Sequence, residues 1–458
     1  MSFLHVARPR AQEKYPVTNR LISPLPRKAP LCASLCLALA LGSTAAPLIA
    51  APSVDNCGDD GLVQGSLRYA IAHAASGETI DLSQLPTKCG GAETAAAVIT
   101  LENGEIPIGQ DVLKLQGPSV GTVTIEPAAG SQSRVFHHTG AVQLAINDLT
   151  IANGNLQPGA AYDAFGGCVT SSGTIFITRS TIRDCTASGY TALGGGVYAS
   201  KGVILLHSLV SGNEAISSHL GEGGGVYTRG GLDLSFSTIS NNEATDVGGG
   251  IVANSVTPGV YSHVYNSTIE GNIAAAFGAA DFETTHGITI LNTTISGNTT
   301  SAEDDALFVI GGSVYIANST IAFNSGGGLY MLAGNLTLQS SIVAHNATAG
   351  VPDFNWSNST IIGANNLVMS PAGALPGVIT LNSDPKLGPL QYNGGPTRTH
   401  MLLAGSPAIG AGNNNAGLWT DQRGWGYPRT TPGGGGYLTD IGAVQREWIF
   451  HGDFDRDP

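Results

Sequence analysis

Apolar and polar positions along this chain follow a cycle. Between residues 180 and 346 a six-residue phrase, Ser/Thr-x-Ile/Val-x-x-Asn, recurs at Ser208 to Asn213, Ser237 to Asn242, Ser267 to Asn272, Thr293 to Asn298, Ser319 to Asn324 and Ser341 to Asn346. A first copy, Ser180 to Cys185, carries Cys in the Asn slot. Successive starts lie 28, 29, 30, 26, 26 and 22 residues apart. Periods of roughly 20–50 residues mark solenoids. Most periods also carry a Gly cluster before an aliphatic residue, as in Gly194-Gly195-Gly196-Val197 and Gly223-Gly224-Gly225-Val226. Short apolar runs such as Val203-Ile204-Leu205-Leu206 and Ile288-Thr289-Ile290-Leu291 separate the Gly clusters from the phrases. They are too short for helices and read as strands.

Two or three strands per period, with no helix between them, predict an all-β chain wound as a parallel β-helix. Eight to ten coils at about 4.8 Å would make a rod roughly 40–50 Å long. Within the phrase, the leading Ser/Thr and the Ile/Val share a face, because side chains alternate along a strand. They are expected to point inward, with the residue between them outward. Asn213, Asn242, Asn272, Asn298, Asn324 and Asn346 are expected at a turn, in left-handed backbone, their amides stacked as in cross-β ladders. Asn266, Asn292 and Asn318, each just before a phrase, suggest a second, shorter stack. Asn-x-Ser/Thr sequons at several of these positions are what such a repeat yields by chance.

The ends do not follow the cycle. Residues 1–51 read as a signal peptide, with six basic residues, the apolar run Leu31 to Leu41, and small residues near Ser43 to Ala51. That run is too short to span a bilayer. An exported protein, extracellular or attached at a cell surface, is therefore expected. Residues 52–145 are expected to hold an N-terminal cap and the first coils. Their one evident helix, Ser66 to Ser76, would be capped by Ser66 and ended by Gly77. Residues 146–366 form the repeats, 367–446 a loop-rich C-terminal cap, and 447–458 a tail. Four cysteines remain beyond residue 51, which allows three pairings. Cys57–Cys89 and Cys168–Cys185 are expected, both closing local loops in an oxidising compartment.

Only 12% of residues are charged. Beyond residue 51, 14 basic and 32 acidic residues leave a net charge of −18. That surface argues against nucleic acid and anionic lipid as partners. Its polar character comes from Ser, Thr and Asn, which suits contact with neutral sugars.

Several landmarks near the C-terminus carry a family resemblance. They are Asp384-Pro385-Lys386-Leu387-Gly388-Pro389-Leu390, Asn393-Gly394-Gly395-Pro396-Thr397, Gly405-Ser406-Pro407-Ala408-Ile409, Asp421-Gln422-Arg423-Gly424 and Asp440-Ile441-Gly442-Ala443. In this order they resemble the choice-of-anchor Q domain of bacterial secreted proteins. The repeats are similar to those of polymorphic outer membrane proteins, with Ile or Val replacing Phe. Gly65-Ser66-Leu67-Arg68-Tyr69-Ala70-Ile71 resembles a CSLREA-type leader segment without its Cys and Glu. The resemblance implies a pectin-lyase-like fold, a single-stranded right-handed parallel β-helix, on an exported bacterial surface protein. Too few residues follow the coils for an autotransporter barrel.

That fold hosts polysaccharide lyases and glycoside hydrolases, so catalysis has to be sought in residues. Lys201 and Arg229, one period apart, would share a wall near Glu214, Glu222 and Asp233. Glu303, Asp304 and Asp305 form the densest acidic cluster and are candidate Ca²⁺ ligands, with Asp281 and Glu283 one coil away. Otherwise no metal or cofactor is expected, and no catalytic residue is assigned. An Arg423 pairing with Asp421 or Asp440 is expected inside the C-terminal region. The reading that follows is a monomeric, non-enzymatic surface protein used for adhesion or contact with an extracellular glycan or neighbouring cell. The alternatives are a polysaccharide lyase or hydrolase, and a passive envelope or matrix protein.

Overall fold

A computed structural model describes residues 53–255, 257–300, 304–346, 350–375, 378–433 and 436–446. The segment expected to be a signal peptide (residues 1–51), the 447–458 tail and Glu303 lie outside these residues.

The chain is a right-handed parallel β-helix. One coil shows how the repeat builds it. Gly202–Leu206 runs to a corner at His207, and Leu209–Ser211 to a second corner at Gly212-Asn213. Glu214–Glu222 then leads through Gly223-Gly224-Gly225 into Val226–Thr228. Stacking produces a 22-stranded, a ten-stranded and a six-stranded sheet, all parallel among the described residues. The largest consists of two ladders, joined where Thr360–Val368 pairs with both Asn335–Gln339 and Ile342–Ala344.

The phrase sets both corners. Ile182, Val210, Ile239, Ile269, Ile295, Ile321 and Val343 are buried in one continuous core, where each contributes about 1.5–3 kcal/mol. The leading Ser/Thr also points inward and makes a ladder of its own. Ser180 N–H donates to Ser208 Oγ (3.2 Å), Ser208 N–H to Ser237 Oγ (3.0 Å), and Ser237 N–H to Ser267 Oγ (3.2 Å). At this corner the backbone leaves the sheet, so a hydroxyl from the next coil supplies the acceptor that the ladder lacks.

The Asn amides form an uninterrupted chain. Nδ2 of Asn213, Asn242, Asn272, Asn298 and Asn324 donates to the next Asn Oδ1 at 2.8–3.0 Å. Asn346 ends the chain on Asp353 Oδ1 at 3.1 Å. Each Oδ1 also accepts the previous Asn backbone N–H, and Asn213 accepts that of Cys185. The left-handed residue is not the ladder Asn but the one before it: Asp184, Gly212, Asn241, Gly271, Gly297, Phe323 and His345 all have φ between 57° and 67°, except Asn241 at 53°. The ladder Asn must keep its side chain inward, so the turn falls to its neighbour. The Gly clusters pass close to this ladder. A Cβ on Gly225 would stand 3.0 Å from the Asn242 amide, and Gly223 turns with φ +66°.

At the N-terminal end, Ser66 caps the helix Leu67–His73 by accepting from Tyr69 N–H. This helix stops before the expected Ser76, because Ala74 is already extended, and it buries Leu67, Ala70 and Ile71 against the core. A second helix, Leu85–Gly90, starts at a proline-containing turn that the apolar pattern does not reveal. Disulfides join Cys57 to Cys89 and Cys168 to Cys185.

The C-terminal region departs from expectation. Residues 384–433 and 436–446 run along the flank of the stack as a strap, instead of only closing its last coil. Asn266, Asn292, Asn318 and Asn365 occupy left-handed corners. They form no second stack: their amides donate to strap carbonyls of Asp421, Thr420, Asn413 and Ala411 at 2.8–3.2 Å. Outward Thr268 and Thr294 bond Arg398 O and Gln422 Oε1. Three of the sequon asparagines, Asn266, Asn292 and Asn318, are thus engaged. Inside the strap, Arg423 pairs with Asp421 (2.7 Å), both buried, while Asp440 O accepts from Arg429.

Gln422 Nε2 also donates to Ser267 O and Thr397 Oγ1, both at 3.0 Å. Gln422→Ala should therefore open the strap to limited proteolysis while leaving the coils intact. Unchanged cleavage within 384–446 would show that the strap is held by other contacts.

Candidate functional site

The strap covers only part of the flank, and its edge makes a cleft. Outward Thr268, Thr294 and Thr320 are buried beneath it, whereas Thr181, Leu209 and Thr238, one to three coils earlier, are only half-buried. The result is an open cleft of about 600 Å³. Its floor is Thr181, Leu209, Thr238 and Ser240, and its far side is Gln391, Tyr392, Pro396 and Arg398.

Three corner residues form the near side. Arg179, His207 and Phe236 have φ of 48°, 50° and 48°. His207 and Phe236 stack at 5.0 Å and 14°. Gly424 packs on Phe236, where an added Cβ would stand 3.0 Å from the ring. Its neighbour Trp425 is 98% exposed, and Tyr392 is 70% exposed. Folding normally buries such rings, and their exposure costs hydrophobic free energy.

Both cations of the cleft are already paired. Arg179 donates to both Asp148 oxygens (2.6 and 2.7 Å). Burial alone would raise Asp148, but the bonds from Arg179 and Gln116 outweigh it and hold this carboxyl below its usual range. Arg398 Nη1 reaches both oxygens of Glu270 (3.1 and 3.0 Å). What remains is ring faces, hydroxyls and spare guanidinium N–H groups. This set can stack on a sugar and hydrogen-bond its hydroxyls, but it offers no free carboxylate pair for acid–base work.

The acidic chemistry lies on the ten-stranded sheet. Its outward row runs Tyr198, Tyr227, Val252, Asp281, Phe308, Tyr330, each level with the next. Burial, then the charges of Glu283 and Glu222, push Asp281 well above the ordinary carboxylate range. Burial, Glu283 and Asp246 raise Glu222. Burial and then Glu222 push Tyr227 up to about 12.

Of the residues singled out in the sequence, Glu222, Asp281 and Glu283 converge here. Lys201 and Arg229 do not share a row. The offset at Val197↔Val226 is 29 residues, which sets Arg229 level with Ser200. Glu214 pairs in the six-stranded sheet, and Asp233 lies in the largest sheet bonded to His263. Asp281 stands level with Phe308, so Asp304 and Asp305 belong to an earlier part of the next coil. Sequence reasoning missed His207, Phe236, Tyr392 and Arg398 as cleft residues. A signal was present: the residue before each phrase is Arg179, His207 and Phe236 in three early coils but Asn266, Asn292 and Asn318 later, where the strap lies.

No family model matches the chain, so the choice-of-anchor Q and polymorphic outer membrane resemblances gain no support there. No curated protein matches either. Among solved structures, the A-module of mannuronan C-5 epimerase AlgE6 from Azotobacter vinelandii is similar, with a TM-score of 0.39 and 16% identity. The match covers 72% of this chain and 100% of that one. What the chain is remains a parallel β-solenoid of about ten turns. Its function has to be argued from the site.

Proposed function

We propose that this chain is an exported, non-enzymatic glycan-binding protein, with an extended neutral glycan lying in the cleft between the coils and the strap. The observation that carries the reading is the His207–Phe236 stack in one cleft with exposed Tyr392, above a hydroxyl-lined floor. Rings held on a rigid β-helix present flat apolar faces with little ordering left to lose on binding. Because Arg179 and Arg398 are neutralised by Asp148 and Glu270, the cleft does not select for acidic sugars. Two disulfides support an oxidising compartment. Among the described residues no helix is long and apolar enough to cross a membrane. Action at a cell surface, as an adhesin or sugar contact, follows from a glycan ligand displayed there.

The test is affinity electrophoresis through a panel of neutral and acidic polysaccharides, with reducing ends followed in the same samples. Retardation by a neutral glycan is expected, with no product. Tyr392→Ala or Phe236→Ala should each weaken binding roughly 5- to 30-fold, the effect of losing about 1–2 kcal/mol of ring contact. Binding that ignores both substitutions, or release of new reducing ends, would rule this reading out.

A further inference from the structure

We propose that the outward face of the ten-stranded sheet binds a protonated amine carried on a sugar, a hexosamine residue of a de-N-acetylated glycan, at the carboxyls of Glu222, Asp281 and Glu283. This goes beyond the cleft reading, since it concerns a different sheet and a different ligand chemistry.

The argument starts from a missing donor. Asp281 is 4% exposed, and its Oδ1 has no hydrogen-bond partner among the described residues. Its row neighbours are apolar: Val252 on one coil and Phe308 on the next. The polar groups that act on it, Glu283 and Glu222, are acceptors like itself. Glu283 already takes Asn254 Nδ2 at 2.7 Å. Arg229, the cation on this face, bonds Tyr227 and lies 5.9 Å over the Tyr198 ring. A buried carboxyl among carboxyls, with no donor, is an incomplete site.

A cationic hydrogen-bond donor completes it. Among the described residues these carboxyls, like every other group of His, Cys, Asp or Glu, lack the three-ligand arrangement that could hold a metal ion. An ammonium needs only one or two carboxyl oxygens and brings three N–H bonds. The apolar rim indicates what carries the amine. Phe277 is 44% exposed and lies against Phe308 at 4.7 Å, offering a ring face beside the carboxyls. A sugar ring with an amino substituent presents both an apolar face and a charge.

The experiment is calorimetric titration at pH 6 with the glucosamine hexamer and with the N-acetylglucosamine hexamer. The deacetylated hexamer should bind at least tenfold more tightly, and Asp281→Asn should remove that advantage. Asparagine has the shape of the neutral acid that burial favours at this position, so the variant should stay folded, and Glu222→Gln provides a second variant with the same expected loss. Glu93→Gln, at a remote exposed carboxylate, and Tyr392→Ala, in the cleft, should leave the amine preference intact. Equal affinity for the two hexamers overturns the proposal. So does an equal loss in Glu93→Gln, which would mean diffuse attraction to an acidic protein. If Tyr392→Ala abolishes binding while Asp281→Asn does not, the amine sits in the cleft, and this inference fails while the cleft reading stands.

Discussion

Replacing Asn272 with alanine is expected to destabilise the protein by about 5 kcal/mol. Asn272 sits mid-ladder and is fully buried. Its Oδ1 accepts from both the backbone N–H and Nδ2 of Asn242 (3.0 and 2.9 Å). Its Nδ2 donates to Ile239 O and Asn298 Oδ1, both at 3.0 Å. Alanine orphans two donors on Asn242 and the carbonyl of Ile239, all in the interior. Each orphan costs about 1–3 kcal/mol, far more than the net contribution of a satisfied hydrogen bond. Asn272→Asp should be worse at neutral pH, because a carboxylate would face the acceptors Ile239 O and Asn298 Oδ1. It should recover partly in acid as that carboxyl protonates. Chemical denaturation of the two variants checks this. A loss under about 1 kcal/mol for alanine would mean that water replaces the amide and that the ladder is not a stability element.

The second large effect is a pH dependence centred on Asp305. This residue is 2% exposed and its Oδ1 lacks a partner among the described residues. Burial first, then the charges of Asp304 and Asp353, push its carboxyl up to about 7. The folded pKa is thus above the unfolded value of 3.8. The native chain retains a proton that the unfolded chain releases, so this contribution is full below pH 3.8 and is lost as pH rises through about 7. The difference is worth roughly 4 kcal/mol. Asp305→Asn should remove it. Relative to the parent, the variant should gain stability steadily from pH 4 to 8. Asp281, Glu222 and Asp440 are also raised, and their slopes are common to both proteins, so the difference isolates Asp305. Parallel stability profiles would refute it.

Much of the architecture was legible from the repeat. Strand alternation dictates which face Ile/Val takes, and a 22- to 30-residue period without helical segments leaves a stacked coil as the way to bury it. The disulfide partners followed from their proximity along the chain. The Asn positions, too, were visible, because a side chain needed once per coil must recur once per coil. The backbone conformation around them was not: the inward amide and the left-handed turn compete for one residue, and the turn moves to the neighbour, as at Gly271 beside Asn272.

What the sequence could not supply was anything joining distant segments. Asn266, Asn292 and Asn318 look like rungs in sequence, yet they hold a strap some 95 to 156 residues away. The cleft exists only because that strap stops short of Thr238, and Tyr392 becomes part of a site only by lining the same cleft as Phe236. Register likewise decided the acidic face. A one-residue difference in offset parts Lys201 from Arg229, while in-register stacking sets Asp281 between Val252 and Phe308. Periodicity fixes each residue's place within its own coil, because that depends on local backbone geometry. Which coils meet the strap, and which charges share a low-dielectric face, depends on tertiary packing.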